Sequence, residues 1–282
     1  MLISIASGKG GTGKTTLALI LATTCSNTTL VDCDVEEPNC HLFLNPEMQF
    51  PSREISIPIP HINTDLCNGC GACSAVCLFN AICISGKSAL LFDELCHSCG
   101  GCLLACPNNA IYEKSKSIGT INLGRSTKHP QVKLLSGTLK VGTPSAVPLI
   151  RQLKQETAKI TEDVLVDCPP GTSCSMVSAI KDSDYCILVT EDTPLGRHDL
   201  ELAMNITSLL NIPTGVVVNK YDQFAGDKSI EDLCNRRDTP LLAKIPHNLS
   251  FARQYAAGHI PSDFSETAYQ IWEQLKSQRS VT

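Results

Sequence analysis

Two stretches of this 282-residue chain place reactive side chains at spacings that do chemistry. The first is Gly8-Lys9-Gly10-Gly11-Thr12-Gly13-Lys14-Thr15-Thr16, which satisfies the pattern G-x-x-x-x-G-K-[ST]. Glycines let successive N–H groups curl around phosphate oxygens, and the helix that follows points its positive end at the same charge. Lys14 then meets the β- and γ-phosphates, and the Thr15 hydroxyl ligates Mg²⁺. The second, from Cys67 to Cys106, holds nine of the sixteen cysteines, eight of them in two tight groups. These eight form two runs of the type C-x₂-C-x₂-C-x₃-C, at Cys67, Cys70, Cys73 and Cys77 and again at Cys96, Cys99, Cys102 and Cys106. The runs match at a constant offset, so they are two copies of one small unit. Four thiolates satisfy the four irons of a cubane cluster. Zinc is the alternative, but zinc sites pair two separated C-x₂-C knuckles.

These residues need elements to hold them. Short β-branched runs at 2–6, 28–32, 164–167, 185–190, 215–219 and 241–245 read as strands. Helical patterns fall at 14–25, 147–159, 173–181, 194–210, 250–257 and 265–277. Strand–helix alternation with near-continuous apolar strands predicts an α/β fold with a doubly wound, mainly parallel sheet, and a ligand at the carboxyl ends of its strands. The rhythm breaks between Pro58 and Lys114 and then resumes. The expected organisation is therefore one domain from 1–57 and 115–282, with a cysteine-rich module at 58–114 inserted into it.

Charge and hydropathy restrict the partners. The formal net charge of −5 falls to roughly −9 once eight thiolates hold two oxidised cubane cores. That disfavours nucleic acid and anionic membranes, which call for a basic face. The longest apolar run, Leu17–Ala22, is far short of the ~20 residues that span a bilayer. The amino terminus enters the glycine-rich loop with no signal-peptide pattern, so a cytoplasmic location is expected.

Three further segments end in acids or polar groups at predicted strand ends. Val31-Asp32-Cys33-Asp34 closes the second strand, and Val166-Asp167-Cys168-Pro169-Pro170-Gly171-Thr172 closes the third. Asn219-Lys220-Tyr221-Asp222 matches the N-K-x-D pattern that reads guanine in GTPases.

Lys9, just after the first loop glycine, resembles the deviant Walker A signature of the MinD, ParA, Mrp and nitrogenase-iron-protein superfamily. The resemblance implies that Lys9 reaches a partner's nucleotide across an ATP-sandwiched homodimer, with a paralogous ATPase as another partner to consider. It implies that Asp34 positions the attacking water, that Asp32 supports the Mg²⁺ shell and that Asp167 binds metal-ligated water. An Asn at the position of Asn219 reads adenine in that superfamily, which favours ATP over GTP. The cysteine runs resemble bacterial two-cluster ferredoxins, in which the fourth cysteine of each run crosses over. Carried over, one [4Fe–4S] cluster takes Cys67, Cys70, Cys73 and Cys106, and the other takes Cys96, Cys99, Cys102 and Cys77. Leu78 stands where the second repeat has Pro107, a departure that alters solvent access at the cluster Cys77 serves. Cys174 lies seven residues after Asp167, the offset at which the nitrogenase iron protein ligates a bridging cluster. Here it has no second cysteine beside it, so the expectation of a bridging metal at Cys174 rests on that offset alone. Cys25, Cys40, Cys83, Cys186 and Cys234 read as structural, whereas Cys33 and Cys168 are expected near the nucleotide.

Together the motifs resemble MinD-superfamily P-loop ATPases with an inserted ferredoxin domain. The leading expectation is an ATPase that couples nucleotide-dependent dimerisation to electron transfer, or to maturation of a metal centre on a redox or metalloprotein partner. One alternative is an Mrp-type carrier of iron–sulfur clusters, although only Cys234 stands where such carriers have a C-x-x-C. Another is a non-redox, MinD-like positioning switch, although the tail lacks a basic amphipathic helix.

Overall fold

The computed structural model describes residues 1–25, 27–221 and 229–279. In chain order the elements begin with β1 (Leu2–Ala6), α1 (Lys14–Thr24), β2 (Thr28–Asp32), α2 (Cys40–Leu44), β3 (Pro46–Met48), β4 (Arg53–Ile62), α3 (Ala72–Ala75), β5 (Ile82–Ser85) and β6 (Ser88–Leu91). They continue with α4 (Gly101–Ala105), β7 (Ile111–Ser126), β8 (Val132–Leu139), α5 (Val147–Thr157), β9 (Asp163–Asp167), α6 (Cys174–Ile180), β10 (Tyr185–Glu191) and α7 (Pro194–Leu209). The last are β11 (Thr214–Tyr221), α8 (Ser229–Arg236), β12 (Leu241–Pro246), α9 (Leu249–Ala256) and α10 (Ser265–Arg279). The chain divides into two compact units, one of Met1–Ser52, Ile121–Thr138 and Ile150–Thr282, the other of Arg53–Thr120 and Leu139–Leu149.

In the first unit the strands lie in the order β12-β11-β10-β1-β9-β2-β8-β7-β3. The ladders from β12 to β8 are parallel, and β3 runs antiparallel to β7. Every residue of β2 is buried, as expected of a strand covered on both faces. Helix α1 packs on this sheet and on α10, burying Leu17, Leu19, Ile20 and Leu21 in a core that also takes in Trp272 and Leu275. Its cap is Gly13, with φ of 95°, where a side chain would be strained. Helix α7 starts where Thr193 accepts a hydrogen bond from the Gly196 N–H and Pro194 occupies the first turn.

The predicted strands and helices of this unit fall within a few residues of the observed ones. β3, β7, β8, α2 and α8 have no counterpart among the predicted elements. β8 contributes Val132, Leu134 and Leu135 to the buried side chains, but Lys133, Ser136 and Gly137 interrupt its apolar run. Among the described residues no helix is long and apolar enough to cross a membrane.

The second unit is built from the repeat. β4 pairs with β7, and β5 and β6 form a hairpin in register Ile82↔Leu91 to Ser85↔Ser88. The offset seen in the sequence recurs in the backbone. Gly69 and Ser98, Gly71 and Gly100, and Asn80 and Asn109 are equivalent pairs, and all six take positive φ. Gly71 and Gly100 each cap a one-turn helix, α3 or α4. The core of this unit is small: Cys73, Ile82, Ala89, Cys102 and Ile111.

Candidate functional site

The nucleotide loop sits where β1 hands over to α1. The close approach of β11 to it explains one glycine: a Cβ on Gly13 would lie 2.2 Å from Asn219 Nδ2. That amide nitrogen donates to the Thr12 carbonyl oxygen at 2.8 Å. Asn219 is thus brought to the loop as expected, whereas Asp222 lies outside the described residues. Lys14 is buried at the first position of α1. Gly8 also has no freedom, because a Cβ there would come 2.2 Å from the Asp199 carbonyl oxygen.

Asp32 and Asp167 stand opposite one another in the β2–β9 ladder, so their side chains share a face. Thr15 Oγ1 donates to Asp167 Oδ2 at 2.7 Å, and the Cys40 thiol lies 3.7 Å from the same oxygen. Oδ1 of Asp167 is buried without a partner. Burial above all, and then the Asp32 charge, holds the Asp167 carboxyl well above the usual carboxylate range. Asp32 is raised too, chiefly by burial. An orphaned carboxylate oxygen beside the loop threonine suits a hard divalent cation, which would relieve the repulsion between the acids.

Asp32 does something the sequence did not announce. It accepts the N–H groups of Asp34, Asn39 and Cys40 at 3.2, 3.1 and 3.1 Å, so one carboxylate organises the whole turn that carries Asp34. Asp34 is half-buried and raised by burial, against the opposing charge of Lys14. Cys40, read as structural, belongs to this acid cluster: its sulfur and one oxygen from each of Asp32 and Asp167 all lie within 4.8 Å of one another.

Cys33 and Cys168 follow those acids by one residue, and strand alternation turns them to the opposite face. Neither lines the nucleotide cavity. Both are buried, and burial pushes the Cys168 thiol up to about 12 and Cys33 well above the usual range. The Lys154 ammonium is buried near them without a hydrogen-bond partner. Cys174 is exposed at the first position of α6.

The cavity over the loop is completed by His247, Asn248, Phe251 and Tyr255 from the end of β12 and from α9. These were missed because only the turn from β12 into α9 carries them there. Asn248 caps α9 by accepting the Ser250 and Phe251 N–H groups, and Tyr255 stacks on Phe43 of α2 at 4.6 Å between centroids. A larger cavity between α5 and α6, lined by Met1, Arg151 and Lys181, contains none of the residues read as functional.

In the second unit the eight cysteines sort into two small cavities. Cys67, Cys70, Cys73 and Cys106 line one; Cys77, Cys96, Cys99 and Cys102 line the other. Each takes three cysteines from one run and the last cysteine of the other. Backbone N–H groups point at sulfur at equivalent places, Ala81 to Cys77 and Ala110 to Cys106, both at 3.3 Å. The Gly69 N–H likewise lowers the Cys67 thiol from its ordinary value. His97 stacks on Phe79, with centroids 3.8 Å apart.

A parallel sheet with a glycine-rich loop at the end of β1 and acids at the ends of β2 and β9 defines a P-loop nucleotide-binding protein. The family model for the CobQ/CobB/MinD/ParA nucleotide binding domain matches residues 3–261, and the chain belongs to that family. Two uncharacterized proteins of Methanocaldococcus jannaschii, MJ0579 and MJ0578, are similar to it. The first is 32% identical over 225 residues, 78% of this chain and 80% of the relative. The second is 34% identical over 224 residues, 78% of each. Among solved structures, the Pyrococcus furiosus cell division ATPase MinD superposes with a TM-score of 0.61 at 18% identity, covering 98% of both chains. The septum site-determining protein MinD of Pyrococcus horikoshii, complexed with Mg-ADP, gives 0.60 at 19% identity, over 99% of this chain and 97% of the other. At those identities the agreement is one of fold, and the fold is the mainly parallel P-loop α/β fold of MinD.

Proposed function

We propose that the protein is an ATP-dependent dimerising ATPase whose inserted module, residues 58–114, carries two [4Fe–4S] clusters. The observation that carries the iron–sulfur part is the sorting of eight cysteines into two four-cysteine cavities with crossed fourth members. Cys67, Cys70, Cys73 and Cys106 would hold one cluster, and Cys77, Cys96, Cys99 and Cys102 the other. Zinc suits the spacing less well. Zinc sites pair two separated C-x₂-C knuckles, whereas each run here is C-x₂-C-x₂-C-x₃-C. A cubane spreads its thiolates over four irons and supplies one-electron redox chemistry when bound.

At the nucleotide end, Gly8 to Thr16 would cradle the phosphates, with Lys14 facing the β- and γ-phosphates and Asn219 the base. Thr15 would ligate Mg²⁺ with Asp167 beside it, and Asp34 would orient the attacking water. Asp32 supports this by fixing the turn that carries Asp34. Lys9 would reach the nucleotide of a second copy or of a paralogue. Dimer formation would then be coupled to electron delivery, or to maturation of a metal centre, on a partner protein.

The fold comparisons favour a second reading. They include cell division MinD, a MinC:MinD complex of Aquifex aeolicus (TM-score 0.59, 14% identity) and a ParA family ATPase of Chlorobium tepidum (0.55, 14%). On that evidence alone the protein would be a non-redox positioning switch. The experiment that separates the readings is a spectroscopic redox titration of anaerobically purified, iron-quantified protein with and without Mg-ATP. About eight irons per chain and a nucleotide-dependent potential support the coupled reading. Absence of iron leaves the switch.

A further inference from the structure

We propose that Glu191 is the counter-ion that holds Lys9 within its own protomer, and that release of this pair sets the nucleotide concentration at which two copies of the chain associate. The inference rests on the reading of Lys9 as a residue that crosses to a partner's nucleotide.

Glu191 ends β10, next to β1, at the carboxyl edge of the sheet. Both of its oxygens are in use. Oε2 pairs with Lys9 Nζ at 2.7 Å, and Oε1 pairs with Lys220 Nζ at 2.6 Å. Lys220 Nζ also donates to the Gly11 carbonyl oxygen at 2.8 Å. One carboxylate therefore ties together the loop lysine, the loop backbone and the end of β11.

The backbone imposes this placement. The Glu191 carbonyl oxygen accepts the Thr193 N–H, and Thr193 in turn caps α7. A Cβ on Gly196 would come 2.3 Å from that carbonyl oxygen, and one on Gly8 would strike the backbone of Asp199 in α7. The turn that carries Glu191 is thus packed against the loop that carries Lys9, with side-chain exposures of only 17% and 25%. Burial would raise the Glu191 carboxyl, but Lys220 and Lys9 together outweigh it and hold it low, so it is ionised at neutral pH.

A Lys9 ammonium spent on Glu191 is not presented to a second copy. Its departure leaves no bare carboxylate, because Lys220 keeps its own bond to Oε1. Removing a paired charge outright is costly, but exchanging one of two partners for a more highly charged phosphate is not. The contact is therefore stable without a partner and readily given up to one.

The test measures the molar mass of the full, anaerobically purified chain by light scattering against the concentration of Mg-AMPPNP, for wild type, Glu191→Gln and Glu191→Asp. Nucleotide affinity is measured separately at protein concentrations too low for association. Loss of a partly buried, charge-assisted pair predicts roughly a five- to tenfold fall in the nucleotide concentration needed for half-maximal dimerisation of Glu191→Gln. Monomer affinity should stay within about twofold, and Glu191→Asp should lie between. An unchanged or higher midpoint for Glu191→Gln, with wild type dimerising, overturns the role of Glu191 alone. Loss of monomer affinity in both variants overturns it too, by making Glu191 a structural support of the loop. A wild type that stays monomeric at saturating nucleotide overturns the dimer reading, and this inference with it.

Discussion

The two units handle their functional groups in opposite ways. At the nucleotide end the polar groups are buried on a large core and fixed by backbone: Asp32 takes three N–H groups, Asn219 braces the loop, and Thr15 engages Asp167. In the cysteine unit the functional side chains are themselves core. Two of its five central buried residues, Cys73 and Cys102, are proposed ligands, and the chain around them turns through seven left-handed positions between Gly69 and Asn109. The first arrangement is held by the protein's own hydrogen bonds and stores electrostatic strain between its buried acids. The second is small and would be completed by what it binds, as metal-dependent domains are.

The largest test of that contrast is Lys14→Ala. It should lower ATP turnover by about 10²–10³-fold, the scale of removing a positioned transition-state charge, and leave iron content unchanged. If iron falls in parallel, the two sites are not separable.

Pairs of cysteine variants then probe the crossing. Cys67→Ser with Cys106→Ser should lose about four irons per chain, no more than either alone. Cys96→Ser with Cys106→Ser should lose nearly all of them. Ligation within each run would reverse that order.

Chelation of the iron sharpens the comparison further. It should open residues 53–120 to proteolysis while ATP binding survives, because none of the eight cysteines of the two runs lines the nucleotide cavity.

Asp167→Asn tests the stored strain. A carboxyl raised in the native state costs stability as pH rises above its unfolded value near 4, and the cost grows until the native value of about 8 is passed. The variant should therefore be more stable than wild type at pH 7 by about 1–3 kcal/mol, read as a higher melting temperature, while losing Mg²⁺-dependent hydrolysis. In wild type, Mg-nucleotide binding should release protons across that interval and tighten with pH.

The smallest effect is expected of Leu78→Pro, which restores the pattern of the second repeat. Leu78 is 90% exposed, so stability should change by less than about 0.5 kcal/mol. Any shift confined to the potential of one cluster would locate that position beside it.

Much of this was legible in the chain because the signals are local. The P-loop is nine consecutive residues, and the cysteine repeat is recognisable from its spacing alone. The strand Thr28–Asp32 carries an unbroken apolar or β-branched run up to its last residue, and Leu2–Ala6 is broken only by Ser4. Asp32, Asp34, Asp167 and Asn219 were found because strand ends are marked by where those runs stop. β8 was not legible because lysine, serine and glycine dilute its pattern. Cys40 reads as a small hydrophobe at the start of a five-residue helix, and nothing near it signals two acids.

By itself, then, the sequence determined the phosphate loop, the two cysteine runs and the alternation of elements, since each depends on residues a few positions apart. Tertiary structure alone decided which distant groups meet. It brings Glu191 to Lys9 across 182 positions of chain, and turns Cys33 and Cys168 away from the nucleotide while drawing Cys40 towards Asp167. It also closes the cavity with His247 and Tyr255. Those pairings follow from strand order and register, and neither is encoded in any short pattern of side chains.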